Sequence, residues 1–313
     1  MSRTRTEYDP LRNQAFSYFP YCEDEDRNEV DGTCNSEPDA PVFVDGYFDV
    51  TSRLVARPGT ASMPEWGIPK LPLCWLFSFQ DCQPAEFTIR HSFKKVDPNH
   101  QYEPRTYKGT ETELFGFFDT MRMEYQRSDK PENEGLGEEG IREQNKHRYI
   151  NRHNIWLKSY DADGKLIPME ERRAKPIVYH VNRKFPTMAE DPTLVSTALK
   201  VADDWDRVFR NVVVQSGALP STAKGVRFNR DTGMPETDDA GRMFIICHNN
   251  PVLASDPAEC GPAGAAPRMG DIRYSFLAYL PDYMTYGLLG LGPSMGDPET
   301  GELHVGQAYV YHH

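Results

Sequence analysis

The sequence predicts an α+β fold, in which a β-rich N-terminal region precedes a mixed sheet with one long packed helix. Residues 46–125 contain short runs of aromatic and β-branched residues separated by proline or glycine, which is typical of antiparallel strands. After Lys175, strand-like runs flank one stretch whose apolar residues recur at three- and four-residue spacing, the period of an amphipathic helix. A helix among strands buries its apolar face on a sheet, so the two observations together predict a sheet covered by one helix.

The composition excludes several classes of protein. The chain has 313 residues, which suits one large domain or two ordinary ones. Its aromatic content of 12% is too high for a disordered chain, and its 25 prolines and 23 glycines favour turns and short strands over a helical bundle. A formal net charge of -12 repels phosphate backbones, so nucleic acid is not an expected partner. No apolar stretch approaches the roughly 20 residues that cross a bilayer, so no membrane span is expected.

Changes in composition along the chain predict three regions. Residues 1–45 are irregular and turn-rich, residues 46–172 form a β-rich accessory region, and residues 173–313 form the sheet with its helix. An Asp-Gly pair at positions 163 and 164 stands between two short apolar runs and predicts a hairpin turn. The accessory region holds four strand-like runs, of which the last also fits a short helix: Gly46–Val55, Leu71–Phe79, Glu86–Phe93 and Glu113–Tyr125.

The best-defined element is a helix over residues 192–214. Asp191 can cap this helix because its carboxylate accepts orphan backbone N–H groups, and Pro192 suits the first helical position. The predicted apolar stripe comprises Leu194, Ala198, Val201, Trp205, Val208, Phe209 and Val212. The strands predicted around the helix are Ile177–Val181, Met243–Cys247, Ile272–Leu280 and Leu303–Tyr311. The third is almost continuously apolar, as expected of an interior strand buried on both faces.

The six cysteines fall into three pairs that are close in sequence: Cys22 with Cys34, Cys74 with Cys82, and Cys247 with Cys260. Turn-forming residues flank each pair, and no C-x-x-C spacing of a zinc site competes. We therefore predict three disulfide loops and an extracytoplasmic location, whether secreted, periplasmic or on the cell surface. Six thiols in a cytosolic protein are the alternative. The first residues lack the apolar segment of a signal peptide, which fits a cytosolic protein or a chain whose signal has been removed.

An acidic cluster inside the first cysteine loop is a candidate calcium site. Asp24, Asp26, Asn28 and Asp31 place oxygen-bearing side chains at nearly alternate positions, and calcium takes six to eight oxygen ligands. The pattern departs from an EF-hand loop at Glu29, where the sharp turn requires glycine. A solvated acidic loop held by a Cys22–Cys34 disulfide is the alternative interpretation.

The sequence carries no recognisable catalytic motif. None of its nine histidines lies in an H-E-x-x-H helix, and it has no G-x-S-x-G elbow and no Walker A loop. His312 and His313 could ligate a metal, but adjacent residues on a strand point to opposite faces. A cut site or tag remnant therefore explains this pair better than a metal site. We predict no catalytic residues within the chain.

A glycine-rich run over residues 287–294 is a candidate binding edge. Its central residues are Gly290, Leu291, Gly292, Pro293 and Ser294. Proline within a strand indicates an edge, because proline cannot donate to a hydrogen-bonded ladder. An exposed edge strand can bind an extended peptide through main-chain hydrogen bonds. An ordinary surface hairpin is the alternative.

Residues 175–311 resemble the upper half of a metzincin-type zinc metallopeptidase, of the kind that bacteria secrete or anchor to lipid. The resemblance rests on four segments in order, with the helix and strands between them. These are residues 175–180 (KPIVYH) with 183–186 (RKFP), 201–206 (VADDWD) with Phe209, 270–276 (GDIRYSF), and 290–294 (GLGPS) running into 297–302 (DPETGE). Residues 152–156 and the Asp-Gly hairpin resemble the region that precedes the peptidase domain in such proteins.

The resemblance implies that residues 287–294 are the antiparallel edge strand that holds the substrate backbone above the catalytic cleft. It also implies that the zinc-binding helix would follow Leu303–Tyr311, beyond the given sequence. We therefore expect the chain to be the N-terminal portion of an extracytoplasmic zinc metallopeptidase, inert alone. The parent would use zinc, ligated outside this chain, to hydrolyse a peptide or protein substrate. The alternative is a non-catalytic surface or structural module that self-associates or binds a partner chain through its strand edges.

Overall fold

A computed structural model describes much of the chain in twelve segments. They cover residues 5–7, 14–17, 41–56, 60–63, 67–72, 85–97, 101–107, 114–123, 146–216, 242–249, 251–281 and 289–312. The chain divides into two compact units, each with its own internal contacts. Unit 1 comprises residues 1–96 with 270–272, and unit 2 comprises residues 97–269 with 273–313.

Unit 1 is built from antiparallel strands. The central pair consists of β4 and β7, which align along ten residues from Tyr47–Lys94 to Ala56–Ala85. Strands β2 and β3 also pair with β4, and β1 pairs with β2, while β5 and β6 form a separate hairpin. The strands are β1 (Arg5–Glu7), β2 (Gln14–Ser17), β3 (Val42–Val44), β4 (Tyr47–Ala56), β5 (Thr60–Met63), β6 (Ile68–Pro72) and β7 (Ala85–Lys94).

A buried carboxylate lies between β4 and β7. Asp49 has no exposed surface, and its two oxygens accept hydrogen bonds from the Tyr47 hydroxyl at 2.7 Å and the Arg90 guanidinium at 3.1 Å. Burial raises the pKa of Tyr47 above its ordinary value, and the neighbouring Asp49 and Asp271 carboxylates act in the same direction. The pairing of β4 with β7 confirms the strands predicted near residues 46–55 and 86–93.

Unit 2 holds a mixed six-stranded sheet, and the order of its main path is β11-β10-β12-β15-β13. The first four strands run parallel, whereas β13 and β14 both run antiparallel to β15. A separate hairpin joins β8 to β9. The elements are β8 (Asp119–Met123), β9 (Lys146–Ile150), β10 (Ile177–Val181), α1 (Pro192–Gln215), β11 (Phe244–Cys247), β12 (Ser275–Leu280), β13 (Gly290–Leu291), β14 (Ser294–Gly296) and β15 (Leu303–Tyr311).

The sheet and its helix confirm the predicted α+β class. The bounds of β10 and β15 coincide with the prediction, and β12 lies inside the sheet between them, as its apolar sequence indicates. The predicted start of β12 at Ile272 is wrong, because β12 begins at Ser275 and residues 270–272 belong to unit 1. In the run predicted at Glu113–Tyr125 as a strand or a short helix, Asp119–Met123 form a strand, whereas Leu114 and Phe115 are helical. The Asp161 turn is also as predicted, since Tyr160 and Leu166 form an antiparallel bridge across it.

Helix α1 is capped as the sequence predicts. The Asp191 carboxylate accepts a hydrogen bond from the Leu194 N–H at 2.9 Å, and Pro192 occupies the first helical position. Far along the helix, the Phe209 ring stacks on Phe244 of β11, with their centroids 6.1 Å apart. The helix thus packs beside β11, at one end of the strand order.

The predicted apolar stripe of α1 does not match the face that packs on the sheet. Four of its members are each 45% to 49% exposed: Val201, Trp205, Val208 and Val212. The buried residues of the helix are instead Ala202, Asp206 and Val213. Ala202 permits close approach, and the Asp206 carboxylate has hydrogen-bonding partners at the start of β11. The helix is therefore turned so that part of its apolar stripe faces outward.

Candidate functional site

The candidate site is the outer edge of the sheet in unit 2, formed by β13 and β14. Gly290 lies opposite Val310 and Leu291 opposite Tyr309, so β13 runs antiparallel along the end of β15. After Pro293, β14 continues beside β15, with Ser294 opposite Gly306 and a bulge between Met295 and Gly296. The predicted edge residues 290–294 thus lie together in one extended segment at the end of the strand order.

The register determines which backbone groups face outward. The Leu289 carbonyl accepts a hydrogen bond from the Tyr311 N–H at 3.1 Å, and the Pro293 carbonyl accepts one from the Gln307 N–H at 2.9 Å. Backbone groups alternate in direction along a strand, so residues 289, 291 and 293 face β15. The N–H and C=O groups of Gly290, Gly292 and Ser294 consequently point away from β15.

Proline and glycine shape this edge in different ways. Pro293 accepts a bond from β15 but has no N–H to return, so the ladder is interrupted between β13 and β14. A Cβ atom on Gly290 would lie 2.6 Å from the Tyr309 carbonyl oxygen, which is closer than real contacts allow. On Gly292, the nearest such contact would be an ordinary 3.6 Å, to the Gln307 carbonyl oxygen. Glycine at position 290 is thus required for the close approach of β13 to β15.

The edge also exposes apolar side chains. Leu289 is 75% exposed, Leu291 49% and Met295 52%. Exposed apolar side chains beside outward-facing backbone groups are characteristic of a surface that binds another segment of polypeptide.

A tight turn fixes the connection from β14 to β15. The Asp297 Oδ1 atom accepts hydrogen bonds from the N–H groups of Glu299 at 2.8 Å and Thr300 at 2.9 Å, and Oδ2 lies 3.2 Å from His304 Nε2. Burial of Asp297 opposes its ionisation, but these hydrogen bonds outweigh it and lower the pKa of the carboxyl group. At Gly301, φ is +74° and a Cβ atom would lie 2.7 Å from the Ile150 carbonyl oxygen. The turn therefore requires glycine, and it sets the register of the edge.

The other predicted site residues are placed only in part. Asp24, Asp26, Asn28 and Asp31 lie outside the described residues, as do the Cys22–Cys34 and Cys74–Cys82 pairs. Cys247 and Cys260 form a disulfide, with their Cα atoms 5.6 Å apart. Both are 1% exposed, and they pack in a core with Ile245 and Val252.

The described residues do not offer a ligand set for the zinc that the resemblance implies. Within the described segments, no group of three or more histidine, cysteine, aspartate or glutamate side chains could hold a metal ion. Two of the histidines, His153 and His180, have pKa values that burial lowers. His180 Nε2 bonds to the Cys260 carbonyl oxygen at 3.0 Å, and its buried Nδ1 has no hydrogen-bonding partner. His180 is therefore a neutral core histidine.

Two polar clusters of unit 2 were not predicted from the sequence. Asp206 accepts hydrogen bonds from the N–H groups of Met243 at 2.6 Å and Phe244 at 3.3 Å, and pairs with Arg210 at 2.9 Å. His248 Nδ1 lies 2.7 Å from the Asp256 carboxylate. The i,i+4 spacing of Asp206 and Arg210 could have indicated the first cluster, whereas nothing in the sequence pairs His248 with Asp256.

Comparison with known proteins gives no assignment. No family model matches the chain, and no significant match was found among curated proteins or solved structures. In the part of the chain that the structure describes, no helix has the length and apolarity needed to cross a membrane. Inferences about function therefore rest on the geometry of the sheet.

Proposed function

We propose that this chain is the substrate-side portion of an extracytoplasmic zinc metallopeptidase of the metzincin type, and that its β13–β14 edge binds an extended peptide. The observation that carries the proposal is the outward direction of the backbone groups of Gly290, Gly292 and Ser294, next to a strand that runs parallel with the rest of the sheet. These groups can add one further strand to the sheet.

The arrangement of strands supports the metzincin part of the proposal. The resemblance implies an antiparallel edge strand, a turn, and then a strand that returns alongside it toward the zinc helix. In unit 2, β13 and β14 are antiparallel to β15, and the Asp297 turn links them in that order. The Cys247–Cys260 disulfide is compatible with an oxidising compartment.

A labelled peptide tests binding at the edge. The probe is a fluorescein-labelled Thr-Val-Thr-Val-Thr peptide, whose affinity is measured by fluorescence polarisation on the full 313-residue chain. Gly292→Pro removes an N–H that faces outward and leaves the bonds to β15 in place, so we expect about tenfold weaker binding. Gly292→Ala keeps that N–H and is the matched control, with binding close to that of the unaltered chain.

A second peptide, N-methylated at alternate amides, separates strand addition from apolar adhesion. Methylation removes backbone donors while adding apolar surface, so peptide that pairs as a strand loses affinity. Equal binding of both peptides, or equal binding by the Gly292→Pro and Gly292→Ala variants, would contradict binding through the strand edge.

The chain alone is expected to be inert as a peptidase. We expect no stoichiometric zinc after dialysis and no EDTA-sensitive cleavage of casein by this polypeptide, because its sequence contains no H-E-x-x-H motif. Stoichiometric zinc with EDTA-sensitive cleavage would refute this expectation. In the gene, an H-E-x-x-H codon pattern soon after His313 would support the peptidase parent.

A second function is favoured by the exposed Leu289, Leu291 and Met295 side chains. A non-catalytic module could assemble with itself or with a partner chain through the same edge. Sedimentation velocity distinguishes the two: concentration-dependent association that Gly292→Pro abolishes supports assembly, whereas a monomer that binds the peptide probe supports the substrate edge.

A further inference from the structure

A cavity lies at the opposite end of the sheet in unit 2, away from the β13–β14 edge. Its volume is about 810 Å³, which falls within the range of small-molecule sites. Three segments enclose it: the loop that follows β10, the first half of α1, and the end of β11 with the loop beyond it. The carboxyl ends of parallel strands are a common position for ligand sites in open sheets.

The interior of the cavity is mostly apolar. Side chains from all three segments contribute, among them Phe185, Met188, Val195, Ala198, Ile246 and Leu253. The Ala198 side chain leaves space on the helix wall, where a larger residue would project into the cavity. This lining favours an apolar body rather than a sugar or a nucleotide.

A disulfide and local hydrogen bonds hold the segments that line the cavity. The Cys247–Cys260 disulfide anchors the end of β11. Asp256 accepts a hydrogen bond from the Leu253 N–H at 2.8 Å, and Glu190 accepts bonds from the Thr187 N–H at 2.7 Å and hydroxyl at 2.8 Å. A site formed in advance avoids the entropy cost of ordering loops on binding.

His248 is a polar group suited to orient a ligand. Its side chain is 63% exposed and lines the cavity, so it lies at the opening. The Asp256 side chain is only 6% exposed and its carboxylate can only accept, so the hydrogen lies on His248 Nδ1. That bond fixes the ring, and in the imidazolium form Nε2 also carries a hydrogen that it can donate to a ligand carboxylate.

The charges around the opening favour an anionic head group. Lys184 and Arg183 line the cavity on the β10 side, together with His248 on the β11 side. Glu190 is the acidic residue that lines the cavity, and its carboxylate is already bonded to Thr187, which lowers its pKa. A single ligand carboxylate is thus matched by the Lys184 ammonium and by the Nε2–H of the His248 imidazolium.

We propose that this cavity binds a monocarboxylate with a long apolar chain, such as a medium-chain fatty acid, with its carboxylate at His248 and Lys184. The apolar chain would lie between α1 and the ends of β10 and β11. This site is separate from the β13–β14 edge and does not depend on the function proposed for that edge.

Dodecanoate is the probe, and its binding to the full 313-residue chain is measured by isothermal titration calorimetry. Ala198→Trp fills the cavity and is expected to abolish binding. Val201→Trp places the same side chain on the same helix at a residue that is 45% exposed, and is expected to leave binding unchanged. Circular dichroism of both variants establishes that each remains folded; if Ala198→Trp is unfolded, Ala198→Leu takes its place.

Two further ligands and one further variant test the head group. Dodecanol and dodecylammonium share the apolar chain but lack the negative charge, so both are expected to bind at least about tenfold more weakly than dodecanoate. His248→Ala should weaken dodecanoate about tenfold, with no effect on dodecanol. Equal binding of the three ligands, or unchanged dodecanoate affinity in folded Ala198→Trp or Ala198→Leu protein, would overturn the proposal.

Discussion

The two ends of the six-stranded sheet in unit 2 are built in opposite ways. At the β11 end, a helix packs on the sheet, a buried carboxylate bonds to the start of the strand, and a disulfide fastens its end. At the β13–β14 end, the described residues are exposed and the strands are held by backbone bonds to β15 and by the Asp297 turn. Side chains cover the β11 end, whereas at the β13–β14 end the backbone N–H and C=O groups of Gly290, Gly292 and Ser294 point outward.

The difference indicates a division of roles within one sheet. Side-chain contacts between residues far apart in sequence supply rigidity at the β11 end, where Asp206 and Met243 are 37 residues apart. Glycine and proline at the other end permit close backbone approach but contribute little side-chain packing. Stability should therefore be sensitive to changes near β11, and peptide binding to changes near β13.

The largest effect is expected from Asp206→Ala at the closed end. The substitution removes the acceptor of the Met243 and Phe244 N–H groups and one partner of the Arg210 guanidinium, all in a site where Asp206 is 4% exposed. Breaking a buried ion pair in this way costs about 3–5 kcal/mol. Urea unfolding followed by circular dichroism measures the change.

Asp204→Ala is the matched control for this prediction. Asp204 lies on the same helix and pairs with Arg207 at 2.9 Å, but both side chains are more than half exposed. Its removal should change the free energy of unfolding by less than about 1 kcal/mol. Similar losses in the two variants would show that Asp206 does not join the helix to β11.

The second prediction concerns the disulfide at the end of β11. Replacing both Cys247 and Cys260 by serine opens a loop between residues 13 apart in sequence. The expected loss is about 3 kcal/mol, most of it from greater entropy of the unfolded chain. Urea unfolding with and without dithiothreitol measures it, since the reductant should destabilise the unaltered chain more than the double variant, in which only the predicted Cys22–Cys34 and Cys74–Cys82 pairs remain to be reduced. If the double variant is as stable as the unaltered chain, the disulfide does not hold the closed end.

The third prediction tests the open end. In Gly290→Ala, the new Cβ atom would lie 2.6 Å from the Tyr309 carbonyl oxygen, so β13 must move away from β15 at a cost of about 1–2 kcal/mol. Hydrogen exchange should show faster exchange of the Tyr311 amide, which bonds to Leu289. Gly292→Ala is the control, because its Cβ contact of 3.6 Å is ordinary. Equal exchange in both variants would contradict the close approach at Gly290.

The sequence predicts the regular elements of unit 2 well, for physical reasons. The β10 strand is short and largely apolar, β15 follows directly on the Asp297 turn, and the α1 cap needs only Asp191 and the N–H groups that follow it. These signals are local. The choice of the α1 face that packs on the sheet does not depend on local sequence. It depends on the hydrogen bond between Asp206 and the Met243 N–H, which lies 37 residues later in the chain.

The same distinction applies to the sites. The open edge could be predicted because glycine and proline at positions 290–293 determine its backbone directly. The cavity could not, because the end of β11 joins its lining from beyond the second half of α1 and residues 217–241, and each lining segment alone resembles an ordinary loop or helix face. The His248–Asp256 pair depends on a loop conformation that no spacing rule specifies.

The smallest effect is expected from titrating His180, a buried residue of β10, and His153, whose ring lies against Tyr179 of the same strand. Burial lowers the pKa of both His180 and His153, so the unfolded chain takes up protons at a higher pH than the folded one. Their contribution to stability is present above the unfolded pKa of about 6.5 and is lost as the pH falls below it.

Protonating His180 would bury a second N–H, at Nδ1, which has no partner. His180→Gln should therefore reduce the loss of stability between pH 7 and pH 5. Urea midpoints at the two pH values provide the measurement, and equal losses in the two chains would exclude His180 as a source of the acid sensitivity.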